Sequence, residues 1–136
     1  MANTKAIVEG KIAGKKVMVF SKSYCPYCKL GKKTLEAYLG KELNSDDYEV
    51  WEIENESNCG EIQSVLGSIT GGQTVSIAAF LYFLMLVRSI SLLVFFGIGI
   101  FLLKKCARIF INGKFVGGGS EVQALDQSGG LRKLLS

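Results

Sequence analysis

The chain contains no histidine and only one proline among its 136 residues. Without histidine it cannot form a Ser-His-Asp triad, a Cys-His nucleophile pair or a zinc site with histidine ligands. A zinc site made of four cysteines would need a second close pair, but Cys59 and Cys106 stand apart from each other and from the pair Cys25 and Cys28. We therefore expect no metal.

Two further absences concern partners and location. The formal net charge of +4 is modest, and no basic stripe with interleaved aromatic residues is present, so we expect no nucleic-acid partner. The first residues, 1–9, lack the apolar core of a secretory signal, which predicts a reducing, cytoplasmic compartment. In such a compartment a Cys-x-x-Cys pair is more often catalytic than structural. The length predicts one domain.

The feature that carries chemistry is the segment Cys25-Pro26-Tyr27-Cys28. It follows an apolar run at 16–20 and precedes a helix-forming stretch at 29–39. The N-terminus of a helix favours negative charge through its dipole and its unpaired N–H groups. The first thiol is therefore placed to act as a nucleophilic thiolate, and the second, one helical turn later, can close a disulfide with it. This pattern predicts a thiol–disulfide exchange site.

Hydrophobic periodicity predicts the order of the other elements. The apolar run 17–20 reads as a strand covered on both faces, and Asn112-Gly113 between two short strands is a strong hairpin signal. In chain order we predict a helix at 4–13 ended by Gly14, a strand at 17–20, a helix at 29–39 ended by Gly40 and a strand at 48–54. A third helix follows from Ser57 or Asn58 to Gly71-Gly72, and then come the hairpin 109–116 and a final helical region 121–135 interrupted at Gly129-Gly130. This order predicts an α/β fold with a four-stranded mixed sheet flanked by helices.

Four motifs in order resemble a dithiol glutaredoxin: 22–28, Thr74-Val75, 111–114 and 117–121. The resemblance covers residues 1–75 and 108–136, which we expect to form one discontinuous domain. It implies a thioredoxin fold and glutathione-dependent reduction of protein disulfides and of glutathione mixed disulfides.

The resemblance also implies a role for each matching residue. Cys25 would be the nucleophile and Cys28 the resolving thiol, with glutathione as reductant and no metal. The residues implied to contact glutathione are Lys22, Tyr27, Gln63, Thr74, Val75, Gly118, Ser120 and Glu121. Lys22 and Gln63 would meet the glycine carboxylate, the Thr74-Val75 backbone the cysteinyl unit, and Ser120 with Glu121 the γ-glutamyl end.

The chain departs from the family between its two matching parts. Family members follow Thr-Val with a cis-proline, whereas here Ser76 follows Val75 and the single proline is Pro26. A non-proline cis bond costs about 2.5–4 kcal/mol, so we expect a changed loop beside Cys25 and reduced activity. The intervening residues 76–107 form an insertion, and we expect its apolar part, 77–103, to be helical.

The insertion has three interpretations. Residues 77–103 carry Arg88 as their only charge and are long enough for a membrane-spanning helix, with Lys104-Lys105 as a basic flank. They could tether an intact domain to a membrane without crossing it. Alternatively, they could span the membrane and leave the part of the chain with the cysteine pair unfolded. The third interpretation is a retained intron or gene-model error, because the composition is that of a translated uridine-rich stretch. The alternative function is accordingly a membrane-associated or impaired glutaredoxin-like module. The roles of Cys59 and Cys106 stay open.

Overall fold

The computed structural model describes residues 2–71 and 107–136. The predicted apolar helix at 77–103, the predicted site residues Thr74 and Val75, and Cys106 lie outside the described residues. The described elements in chain order are α1 (Ala2–Gly14), β1 (Val17–Ser21), α2 (Pro26–Glu36), β2 (Tyr48–Glu52), α3 (Cys59–Thr70), β3 (Arg108–Ile111), β4 (Lys114–Gly117), α4 (Gly119–Gln127) and α5 (Gly130–Leu135).

The four strands form one mixed sheet in the order β2-β1-β3-β4. β1 pairs in parallel with β2 and antiparallel with β3, and β3 pairs antiparallel with β4. The predicted mixed sheet flanked by helices is confirmed. Because β1 and β3 are neighbours, the two described parts of the chain, 2–71 and 107–136, share one sheet.

β1 lies at the centre because all five of its residues are apolar or small and all are buried. Successive side chains of a strand point to opposite faces. Met18 and Phe20 accordingly pack with α1 and α3, whereas Val17 and Val19 pack on the other face with α2, α4 and α5. The prediction that this strand is covered on both faces is correct, and the strand brings its C-terminal end directly to the cysteine pair.

The predicted hairpin forms with its turn at Asn112-Gly113. Asn112 has a φ of 53° and Gly113 a φ of 78°, the two positive values that a two-residue type I′ turn requires. The strands on either side are those predicted, extended by one residue each to Arg108 and Gly117. The turn chemistry therefore specified this part of the sheet locally.

The C-terminal ends of α2 and β2 differ from the predictions, and the side chain before α3 has an unexpected partner. α2 ends at Glu36 rather than near Leu39, because the following turn tightens, with the Tyr38 N–H bonding to the Leu35 carbonyl. β2 ends at Glu52, since 53–55 form a 3₁₀ turn. α3 begins after Asn58 as predicted, but the Asn58 amide donates to Thr4 Oγ1 at 3.2 Å instead of capping the helix.

None of the helices within residues 2–71 and 107–136 is long and apolar enough to cross a membrane.

Candidate active site

The two cysteines of the Cys-Pro-Tyr-Cys segment lie at the N-terminus of α2. Cys25 is the residue before the helix, Pro26 is its first residue, and the Cys25 carbonyl accepts the first helical hydrogen bond from the Lys29 N–H at 3.1 Å. Proline suits this position because its missing N–H would have no partner there. Both thiols are free, and both are buried, Cys25 with 2% and Cys28 with 0% exposure.

The sulfur of Cys28 has a defined backbone donor. The Lys22 N–H donates to Cys28 Sγ at 3.4 Å. Burial, together with neighbouring Cys25, raises the pKa of the Cys28 thiol to about 11, although the Lys22 N–H and the Ser21 hydroxyl act in the opposite direction. The protein therefore keeps Cys28 protonated near neutral pH, as suits a second thiol that reacts after the first.

Ala107 completes the surroundings of the two thiols. It is 2% exposed and packs with Cys25, Cys28 and the partly buried Tyr27. The sequence analysis assigned Ala107 to the end of the insertion, but its side chain packs with Cys25 and Cys28. The cause is the register of the sheet: Phe20 pairs with Arg108, so the residue before β3 comes beside the end of β1.

The loop before Cys25 is held from a distant part of the chain. The Ser23 N–H donates to Glu54 Oε1 at 2.8 Å. Hydrogen bonds from the Ser23 side chain and backbone lower the pKa of Glu54, so this carboxylate is charged at neutral pH. Sequence reasoning missed Glu54, because 31 positions separate it from Ser23 and no local pattern marks it.

Lys22 and Tyr24 lie side by side in the same loop. The Lys22 ammonium lies 5.9 Å from the centroid of the Tyr24 ring, within the range of a cation–π contact. Tyr24 is 64% exposed, so this pair presents a cation and an aromatic face to solvent next to the cysteines. The predicted contact of the Lys22 side chain with a carboxylate stays a prediction.

The predicted segment Gly118 to Glu121 forms the N-terminus of α4. Glu121 Oε2 accepts hydrogen bonds from the Gly118 N–H and from Ser120 Oγ, each at 3.0 Å. Glu121 therefore stabilises its own helix start, a role that the sequence analysis did not assign. Whether these residues also bind a γ-glutamyl group stays a prediction.

Close helix packing brings α4 to the cysteine segment. A Cβ atom added to Gly119 would lie 1.9 Å from the Tyr27 carbonyl oxygen, and one added to Gly31 would lie 3.1 Å from the Gly119 Cα. Only glycine permits so close an approach of the two backbones. Gly31 and Gly119 therefore set the distance between α2 and the N-terminus of α4.

Gln63 lies on α3, and its side chain is exposed. Its Nε2 donates to Cys59 Sγ at 3.3 Å, within the same helix, rather than to the cysteine loop. Its predicted contact with a carboxylate stays a prediction. Among residues 2–71 and 107–136, no group of three or more acidic or cysteine side chains could hold a metal ion.

Comparisons with known proteins decide the family. The family model described as Glutaredoxin matches residues 17–75. Glutaredoxin-2 of Schizosaccharomyces pombe is 30% identical over 132 residues, which cover 97% of this chain and 86% of that protein. The chain belongs to the glutaredoxin family. This membership supports a role as a thiol–disulfide oxidoreductase and agrees with the thioredoxin-like sheet and helices described above.

Solved glutaredoxin structures have the same fold. The structure of oxidized glutaredoxin 2 from Chlamydomonas reinhardtii superposes with a TM-score of 0.66 at 33% identity, covering 98% of this chain and 92% of that one. A buckwheat glutaredoxin solved as a complex with glutathione has a TM-score of 0.66 at 23% identity, covering 98% and 88%. At that identity the buckwheat protein supports the fold alone.

Proposed function

We propose that this glutaredoxin is a glutathione-dependent thiol–disulfide oxidoreductase, with Cys25 as nucleophile and Cys28 as resolving thiol. The observation that carries the proposal is the placement of two free thiols at the N-terminus of α2, with Cys25 preceding the helix. The N-terminus of a helix is a position where nucleophilic cysteines occur in proteins. The second thiol, kept protonated by burial, reacts once the first has formed a mixed disulfide.

The proposed reaction is two successive thiol–disulfide exchanges. With a glutathionylated protein, the Cys25 thiolate attacks the glutathione sulfur, and the substrate leaves as a thiolate that takes a proton from water. A second glutathione thiolate then attacks the mixed disulfide, releasing oxidised glutathione and restoring Cys25. With a protein disulfide, the Cys25 thiolate first opens the substrate disulfide and forms a mixed disulfide with one of its sulfurs. The Cys28 thiolate then attacks Cys25 Sγ, the Cys25–Cys28 disulfide forms, and the fully reduced substrate leaves as a thiolate. Two glutathione molecules then reduce that disulfide.

We further propose that glutathione lies between the cysteine loop and the N-terminus of α4. Its two carboxylates need cationic or N–H donors, which Lys22 and the helix start at Gly119-Ser120 provide on neighbouring elements. Tyr27 would flank the cysteinyl unit, because it packs with both thiols. Thr74 and Val75 for the glutathione backbone, Gln63 for the glycine carboxylate and Glu121 for the ammonium complete the proposed set. Membership of the glutaredoxin family supports this choice of co-substrate.

Coupled turnover tests the proposal. The full chain should reduce a glutathionylated peptide in the presence of glutathione, with glutathione reductase and NADPH reporting the oxidised glutathione formed. A Cys25→Ser variant should lose this activity, and Cys59→Ser, which removes the free cysteine on α3, should keep it. Equal activity of the Cys25→Ser and Cys59→Ser variants would refute the role of Cys25.

One observation favours a second candidate, a glutaredoxin-like module of low activity. Cys25 is only 2% exposed and packs against Ala107, the residue before β3. A disulfide substrate must reach Cys25 Sγ in line with the breaking bond, so neighbouring groups must move first. Alkylation by iodoacetamide distinguishes the candidates: the impaired module would react slowly at Cys25 even under native conditions, and rapidly only in denaturant.

The location of the protein is also a proposal. We propose a cytoplasmic protein, in which the pairing of β1 with β3 keeps both parts of the domain on one side of any membrane. The alternative is attachment to a membrane through 77–103. Fractionation of cells expressing the full chain, with and without detergent, separates these cases, and sequencing of transcripts across 76–107 tests the retained-intron interpretation.

A further inference from the structure

The last residue of β1, Ser21, is a buried hydroxyl without a partner. Its side chain is 0% exposed, and Ser21 Oγ makes no hydrogen bond in the described structure. Burying a hydroxyl without a hydrogen bond is unfavourable, and native proteins satisfy most such groups. The other four residues of the strand are apolar. A polar residue at this position therefore requires an explanation other than packing.

The geometry of the strand points Ser21 at the resolving cysteine. Ser21 continues the face of β1 that carries Val17 and Val19, because side chains two positions apart share a face. Those two valines pack with Leu35 of α2, the helix that holds Cys28. The next residue, Lys22, donates its N–H to Cys28 Sγ at 3.4 Å. The end of β1 thus lies against the Cys28 sulfur.

The Ser21 hydroxyl is close enough to that sulfur to influence its pKa. It lowers the pKa of Cys28, against the opposing effects of burial and of Cys25, the titratable group that acts on Cys28 most strongly among the described residues. A neutral thiol is a weak acceptor. A thiolate is a much stronger acceptor, since hydrogen bonds to ionised groups are shorter and stronger than neutral ones.

We propose that the Ser21 hydroxyl is a second hydrogen-bond donor to the Cys28 sulfur, engaged when that sulfur becomes a thiolate, and that Ser21 thereby sets the rate of the resolving step. This inference rests on the proposed role of Cys28 as resolving thiol. Ser21 is a positioning residue: it neither bonds covalently to the substrate nor transfers a proton.

The step that Ser21 assists is a balanced thiol exchange. The Cys28 thiol first loses its proton to water. The resulting thiolate attacks Cys25 Sγ in a Cys25–S–S–R mixed disulfide, the Cys25–Cys28 bond forms, and R–S⁻ leaves with the electron pair of the broken bond. The Lys22 N–H and the Ser21 O–H stabilise the thiolate before it attacks. Both are on the end of β1 or directly after it, so one short segment supplies both donors.

The test follows this step with a chromogenic disulfide instead of glutathione. In a background with Cys59→Ser and Cys106→Ser, 5,5′-dithiobis(2-nitrobenzoate) reacts at Cys25 and releases one thionitrobenzoate. Attack by Cys28 on the mixed disulfide releases the second. Stopped-flow absorbance at 412 nm separates the two phases at pH 7.5. The variants are Ser21→Ala, Ser21→Thr and Ser21→Val; threonine and valine have the same shape and differ in the hydroxyl.

The second phase should slow by about three- to tenfold in Ser21→Ala. Each unit of increase in the pKa of Cys28 lowers the thiolate fraction tenfold but raises its nucleophilicity about threefold, so the net loss is about threefold per unit. Ser21→Thr should resolve faster than Ser21→Val, and the first phase should stay unchanged in Ser21→Ala. An unchanged second phase in Ser21→Ala, or equal second phases in the threonine and valine variants, would overturn the inference.

These readouts do not involve glutathione. If the wild-type chain fails to turn over glutathionylated peptide but the hydroxyl dependence of the second phase is present, the proposed function fails and the role of Ser21 stands. If turnover is normal and the hydroxyl dependence is absent, the role of Ser21 fails alone. Equal slowing of both phases in Ser21→Ala would show that Ser21 has a purely structural role, and it would also overturn the proposal that the hydroxyl assists the resolving step.

Discussion

The Lys22 backbone N–H donates a hydrogen bond to the Sγ of Cys28 across 3.4 Å. Sequence reasoning assigned Lys22 a side-chain role toward glutathione, but this contact uses its backbone. It joins the loop that leaves β1 to the first turn of α2, and it supplies a donor to a thiol whose burial otherwise disfavours the charged form. Replacing the Lys22 side chain should therefore leave the environment of Cys28 largely intact.

A Cys28→Ser variant should separate the two reactions. We expect it to retain the reduction of glutathione mixed disulfides, which needs only Cys25 and glutathione, and to lose most reduction of a protein disulfide, which needs the second thiol. The measurement compares turnover of a glutathionylated peptide with turnover of insulin disulfides by the same preparation. Equal loss of both activities would contradict the division of roles between Cys25 and Cys28.

A Glu54→Gln variant should loosen the cysteine loop. The amide keeps the shape of the side chain but replaces a charge-assisted hydrogen bond from the Ser23 N–H by a weaker neutral one. Because the pKa of Glu54 is lowered in the folded state, its contribution to stability is present above the ordinary value of about 4.5 and is lost as the pH falls through the lowered value.

Urea unfolding between pH 3 and 7 measures this contribution. The wild type should lose stability below about pH 4.5 more steeply than Glu54→Gln does. Glu9→Gln is the control, because Glu9 forms an exposed pair with Lys5 on α1, far along the chain from the cysteine loop, and such pairs contribute little. If Glu54→Gln and Glu9→Gln follow the same pH profile, the tether from Glu54 to Ser23 has no energetic role.

Gly119→Ala should destabilise the domain and displace α4. Its Cβ would lie 1.9 Å from the Tyr27 carbonyl oxygen, and backbone cannot move aside as a flexible side chain can. We expect a loss of about 1–3 kcal/mol or more, the usual range for overpacking. The matched control is Gly60→Ala in α3, where a Cβ meets nothing within 4 Å, and where alanine should add about 0.5–1 kcal/mol. Chemical denaturation of both variants checks the difference, and a Gly119→Ala midpoint equal to that of the wild type would contradict it.

Ala107→Pro should raise the activity of the full chain toward glutathione mixed disulfides. Ala107 packs with both thiols, and the resemblance implies a proline in the loop beside the nucleophile that this chain lacks. Proline at this position would restrict the backbone beside Cys25. Ala107→Val is the control, because it enlarges the side chain without restricting φ in the same way. The measurement is kcat/KM in the glutathione-coupled assay. A larger gain for valine than for proline would show that side-chain size, not the proline ring, limits the site.

The sequence by itself determined the locally encoded parts of this protein. An apolar run gave the central strand, Asn112-Gly113 gave the hairpin turn, and Pro26 at the start of a helix gave the cysteine pair its position. Each of these depends on residues within a few positions of one another, so propensity and turn chemistry suffice.

The tertiary structure alone decided what surrounds the thiols. Ala107 reaches Cys25 through the register of β1 with β3, and Glu54 reaches Ser23 through the return of the chain after β2. Gly119 sets the spacing of α4 against Tyr27. These contacts join positions far apart in the chain, and only the assembled sheet and its packed helices bring them together. The same packing buries Ser21 and Cys28, and burial governs whether their polar atoms need partners.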